Sequence, residues 1–105
     1  MLKKEEAVLT VIDIQGNLYL AMDQKEFLLD NTTRLIKGIN LLEIPVILTE
    51  QVKIGPTIPE LSSLMPGITP IVKNSFSCCG DAGFMAALAA TGRKQVLVCG
   101  IEAHV

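Results

Sequence analysis

The sequence contains one histidine, His104, three cysteines, and no apolar run approaching the ~20 residues of a membrane span. Each shortage removes a class of function. Three cysteines cannot all pair, and the spacing of Cys78, Cys79 and Cys99 fits neither a disulfide framework nor a zinc site. The 9 lysines and arginines are scattered, so there is no basic stripe to neutralise phosphates and no nucleic-acid partner is expected. Behind the charged segment Met1–Glu6 stands no apolar stretch of signal-peptide length, and the expected compartment is the cytoplasm, with no membrane partner. The turn Asp13-Ile14-Gln15-Gly16-Asn17 lacks the Gly-x-Gly-x-x-Gly pattern that would cradle a dinucleotide. Repeats, low-complexity segments and linkers are also missing.

What is present suits one small domain spanning residues 1–105. Half of the residues are hydrophobic, 19% are charged, and the net charge is −2. A chain of this size buries roughly two-thirds of its unfolded surface. Four short runs, Ala7–Ile12, Val46–Thr49, Ile71–Val72 and Val96–Cys99, are nearly continuous in Val, Ile and Leu. Strands covered on both faces read this way. A helical pattern from about Lys25 to Glu43 places Leu28, Leu35, Ile39 and Leu42 on one face, with Asp30 and Arg34 spaced i,i+4 on the other. A second pattern, about Gly80 to Thr91, turns Phe84, Met85 and Leu88 inward, with Asp81 at its positive end and Gly92 as its stop. The crossover Val52–Pro70 holds four prolines and is expected as a long ordered loop with one short helical turn near Pro59–Leu64.

This β-α-β alternation predicts an α/β fold, a parallel β-sheet with flanking helices. Parallel strands bring their carboxyl ends to one rim. Asp13 follows the first strand, Glu50 and Gln51 the second, Lys73 and Asn74 the third, and Gly100 to Val105 the fourth. An aspartate and a lysine paired beside a helix N-terminus suit the activation of a thiol. A phosphoacceptor receiver domain shares part of this layout. It needs a pair of acidic residues after the first strand and a phosphorylated aspartate after the third, where this chain has Ile14-Gln15 and Lys73.

Three segments resemble, in order and spacing, signatures of the isochorismatase-like cysteine hydrolases. They are Val11-Ile12-Asp13-Ile14-Gln15, Lys73-Asn74-Ser75-Phe76-Ser77 and Val98-Cys99-Gly100-Ile101-Glu102-Ala103-His104-Val105. The resemblance covers about Ala7 to Val105. It implies a Rossmann-like three-layer α/β/α fold, of which this chain is the N-terminal four-strand portion. It also implies a Cys-Asp-Lys triad in which Asp13 and Lys73 are catalytic and the nucleophilic cysteine is the next residue after Val105. The family's thiolate attacks a carbonyl carbon and expels an amine, and water then releases the acid from the acyl-enzyme. Asp13 would take the thiol proton and pass it to the leaving group, while Lys73 would stabilise the thiolate. The oxyanion would lie against backbone N–H groups shaped by a cis peptide within Ala103–Val105.

The stretch Thr49–Pro56 has no histidine, unlike the metal site of nicotinamidase-type members, so no metal and no cofactor are expected. Gln15, Asn17, Tyr19 and Phe76 lie in rim loops as candidates for substrate contact, with packing beneath the loops as the equal alternative for Tyr19 and Phe76. Ala103, His104 and Val105 belong to the oxyanion region, His104 shaping the backbone of the turn. Cys78 and Cys79 read as small residues in a tight turn, with a redox pair or substitute nucleophile as alternatives, and Cys99 as core. The expected partners are a small-molecule, amide-like substrate and further copies of the chain as a homo-oligomer. The alternative function is a non-catalytic domain that only binds or assembles. The chain by itself, carrying two-thirds of a triad, is expected to show no thiol hydrolysis.

Overall fold

A computed structural model describes residues 1–75 and 77–101, except for the side chain of Asn17. The elements run β1 (Ala7–Ile12), α1 (Gly16–Leu20), α2 (Lys25–Leu41), β2 (Val46–Gln51), α3 (Pro59–Ser62), β3 (Ile71–Lys73), a 3-10 turn (Cys78–Gly80), α4 (Ala82–Thr91) and β4 (Gln95–Gly100). The four strands form one parallel sheet in the order β3-β2-β1-β4. β1 is central because its neighbours cover both edges and helices cover both faces. Its alternate residues serve the two sides. Ala7, Leu9 and Val11 pack with Ile36 and Ile39 of α2, while Val8 packs with Ile47, Cys78 and Phe84 beneath α4. The result is the expected α/β architecture of a sheet between helical layers.

Two helices are rotated or shortened relative to the sequence pattern. α2 buries Thr32, Ile36 and Ile39, and Leu28 packs partly against the core, whereas Leu35 and Leu42 stand exposed. The buried stripe includes a threonine, which a count of apolar residues passes over. At its end, Glu43 N–H bonds to Asn40 O and Ile44 N–H to Ile39 O, with Glu43 at φ 58. This is a Schellman closure, in which a left-handed residue lets the chain turn back to β2. α4 begins at Ala82 because the preceding residues wind into the 3-10 turn. Asp81 caps α4 by accepting from Phe84 N–H at 2.8 Å. Phe84 is buried and Leu88 half-buried, but Met85 faces solvent.

The proline-rich crossover holds the single short helix α3 and contributes Ile58, Leu61 and Met65 to the core. The chain runs from β1 outward to β2 and β3, then returns across the sheet to β4 on the other side of β1. That reversal makes the gap between the carboxyl ends of β1 and β4 a topological switch point, where open α/β sheets place ligands. At this point Gly100 is paired with Ile12 so closely that a Cβ on Gly100 would stand 2.1 Å from Ile12 O. Only glycine permits that approach.

Candidate active site

β1 ends at Ile12, and the next residue turns left-handed, with Asp13 at φ 54. Aspartate is one of the few side chains that tolerates this conformation. The turn is held by Asp13 N–H donating to Thr49 O at 3.3 Å and by Gln15 N–H donating to Asp13 O at 3.0 Å. It leaves the carboxyl group inside the rim. β3 is only three residues long, and its last residue, Lys73, is completely buried. The two charges meet there, Lys73 Nζ lying 2.7 Å from Asp13 Oδ2.

A buried ion pair needs further hydrogen bonds to offset the several kcal/mol of desolvation per ion. The rim supplies them. Thr49, at the same level of β2, donates its hydroxyl to Asp13 Oδ1 at 2.8 Å. The ammonium of Lys73 also donates to Gln51 Oε1 at 2.8 Å and to Ser75 O at 3.2 Å. Gln51 Nε2 in turn donates to Asn74 O at 2.9 Å, which fixes the amide so that its oxygen faces the lysine. Among the described residues no buried side-chain nitrogen or oxygen lacks a hydrogen-bond partner.

The residues expected to surround this pair fall into three groups. Gln15 is fully buried and ties the rim together. Its Oε1 accepts from Gln51 N–H at 2.7 Å, and its Nε2 donates to the carbonyls of Gln51 and Gly55. With Glu50 accepting from the backbone and hydroxyl of Thr57 at 2.7 and 2.8 Å, it pins the loop after β2 against the start of α1. Tyr19 is buried in the main core and donates its hydroxyl to Lys25 O at 3.1 Å, so it packs beneath the loop. Phe76, Ala103, His104 and Val105, with the expected cis peptide, lie outside the described residues.

Thr49 joins the pair without having been singled out by the sequence, alongside Gln51 from the rim and Cys78 from the tight turn. Cys78 is buried in the layer beneath α4 and shares a hydrogen bond with Thr49. Burial pushes its thiol above the usual cysteine range. Lys73 and the Thr49 bond pull it down, while Asp13 and Cys79 push it up. Cys99, in β4, is pushed up to about 11 by burial. An apolar groove of about 240 Å³, lined by Thr10, Ile12, Cys78, Phe84, Val96 and Val98 among others, runs along the β1–β4 face beside this cluster. Among the described residues no three His, Cys, Asp or Glu side chains stand together as metal ligands, and no helix is long and apolar enough to cross a membrane.

The fold and rim define an α/β protein with a buried carboxylate–ammonium pair at its topological switch point. The chain belongs to the isochorismatase family, since residues 7–105 match the isochorismatase domain. It is 35% identical over 105 residues to isochorismatase domain-containing protein 2 of Danio rerio, covering 98% of this chain and 52% of that protein. Among solved structures, the YcaC gene product of Escherichia coli, an octameric hydrolase of unknown specificity, superposes with TM-score 0.88 at 25% identity, covering 95% of this chain and 52% of the other. The MAR1 ribonuclease of Caenorhabditis elegans superposes with TM-score 0.85 at 31% identity, covering 99% and 54%. The chain thus spans about half the length of the relatives it matches.

Proposed function

We propose that this chain carries the acid–base half of a cysteine hydrolase that cleaves the C–N bond of a small amide-like substrate. The observation that carries the reading is the buried Asp13–Lys73 pair, 2.7 Å apart at the carboxyl end of β1, beside the turn leaving β4. The family resemblance puts the nucleophilic cysteine at the residue after Val105. Asp13 takes the thiol proton, and Lys73 stabilises the resulting thiolate by its charge. The thiolate attacks the carbonyl carbon, and the tetrahedral intermediate collapses as the amine departs with the proton held by Asp13. Water, deprotonated by Asp13, then attacks the thioester, and the acid is released as the thiol is reformed. No step draws on a metal or cofactor.

The ribonuclease activity named for the nematode protein is not carried over. The lysines and arginines are scattered, the net charge is −2, and phosphate recognition needs a basic surface. The octameric state of the Escherichia coli protein supports a homo-oligomer here, and the three free thiols suit the reducing cytoplasm. The test is to incubate the encoded protein, extended through the residue after Val105, with a panel of small primary amides and activated esters and to map acyl adducts by mass spectrometry. Acylation of a thiol at that position, and none on the 105-residue chain, is expected. A different residue at that position, or acylation confined to Cys78, Cys79 or Cys99, would overturn the reading.

A further inference from the structure

Asp13 owes its position to β2 as much as to Lys73. Its N–H is held by the carbonyl of Thr49 and its Oδ1 by the hydroxyl of the same residue, so one threonine grips both the backbone and the side chain of the proposed base. Lys73 restrains only Oδ2. The terminal torsion of a carboxylate is broad and two-fold, so a single partner leaves it free to swing. Thr49 is itself immobile: it is completely buried, β-branched and therefore stiff about χ1, and paired with Ile12 on one side and Ile71 on the other.

We propose that Thr49 is a positioning residue for the reaction, directing its hydroxyl proton to Asp13 Oδ1 so that the carboxylate stays aimed at the thiol it serves. A hydroxyl has one proton to give. Here the acceptor is Asp13, so Thr49 holds one carboxylate oxygen and Lys73 the other. Among the described residues the titratable groups meeting at this point are Lys73 from β3 and Cys78 from the 3-10 turn, with Cys79 behind Cys78.

The inference rests on the hydrolase reading, and the experiment separates the two. In the encoded protein extended through the residue after Val105, the iodoacetamide labelling rate of the thiol at that position is followed from pH 5 to 9 for wild type, Thr49→Val, Thr49→Ser and Lys73→Met. Removing a donor from a carboxylate raises the pH at which it ionises. Thr49→Val, or Thr49→Ala if the valine protein does not fold, is expected to move the acid limb of the profile up by roughly one pH unit, about tenfold in rate below the limb, and Thr49→Ser to restore it. A purely structural threonine would lower the melting temperature and leave the limb in place. An unmoved limb with Lys73→Met still slowing the reaction overturns this role and leaves the hydrolase reading standing. If neither Thr49→Val nor Lys73→Met changes the profile, both fall.

Discussion

Lys73 and Asp13 are 60 residues apart in sequence and 2.7 Å apart in space, both closed off from water at the rim of a parallel sheet. Their meeting follows from topology. β1 and β3 are separated by β2, and Lys73 crosses that strand's carboxyl end to reach Asp13, passing the hydroxyl of Thr49 and the amide of Gln51.

Breaking the pair one side at a time is expected to be costly. Lys73→Met removes the ammonium from a buried carboxylate, and Asp13→Asn removes that carboxylate from a buried ammonium. Each should lose about 3–5 kcal/mol in urea unfolding, while the double variant should lose clearly less than the sum. Additive losses would show that the two charges are not coupled.

Gly100 is the closest approach of β4 to β1. Gly100→Ala drives a Cβ into Ile12 O at 2.1 Å and forces a φ of 141 on a residue with a side chain. The expected loss is about 3 kcal/mol or more. Gly92→Ala, at φ 65 but with open space around it, should lose only about 1 kcal/mol. Equal losses at the two sites would contradict the close approach.

Alkaline pH should destabilise the fold through Cys99. Its thiol titrates near 9 when unfolded and at about 11 when folded, so the folded state holds the proton longer. That stability is full below pH 9 and falls as pH rises from 9 through 11, by up to about 2–3 kcal/mol. Cys99→Val should flatten the stability curve across this window. At pH 8, maleimide should reach exposed Cys79 well before Cys78 or Cys99.

The loop after β2 hangs on one amide. Gln15→Leu removes the acceptor for Gln51 N–H and the donor to the carbonyls of Gln51 and Gly55. Limited proteolysis should then cut between 52 and 57, at positions protected in the wild type. An unchanged cleavage pattern would mean that Glu50 and Thr57 suffice to hold the loop.

The four strands are legible in the sequence because their apolar runs are nearly unbroken, although Val72 of β3 and Val96 and Val98 of β4 stand exposed. Asp13 and Lys73 are legible because they end such runs on a common rim. The rotation of α2 is not, since its buried stripe takes in Thr32 while Leu35 and Leu42 reach solvent. Thr49 escapes for a related reason: inside an apolar strand it reads as one more β-branched residue, and its partner lies 36 positions away. Tyr19, open between substrate contact and packing, is buried in the main core, and Gln15, a candidate for substrate contact, is fully buried in hydrogen bonds to the loop after β2.

The proposed role of the Asp13–Lys73 pair is to activate a thiol at the residue after Val105. The most direct measurement is the iodoacetamide labelling rate at that position in the encoded protein at pH 7, against Cys79 as internal reference and with Lys73→Met in parallel. Labelling at least tenfold faster than at Cys79, lost in Lys73→Met, is the predicted result. A rate equal to that of Cys79, or one indifferent to Lys73, would contradict it.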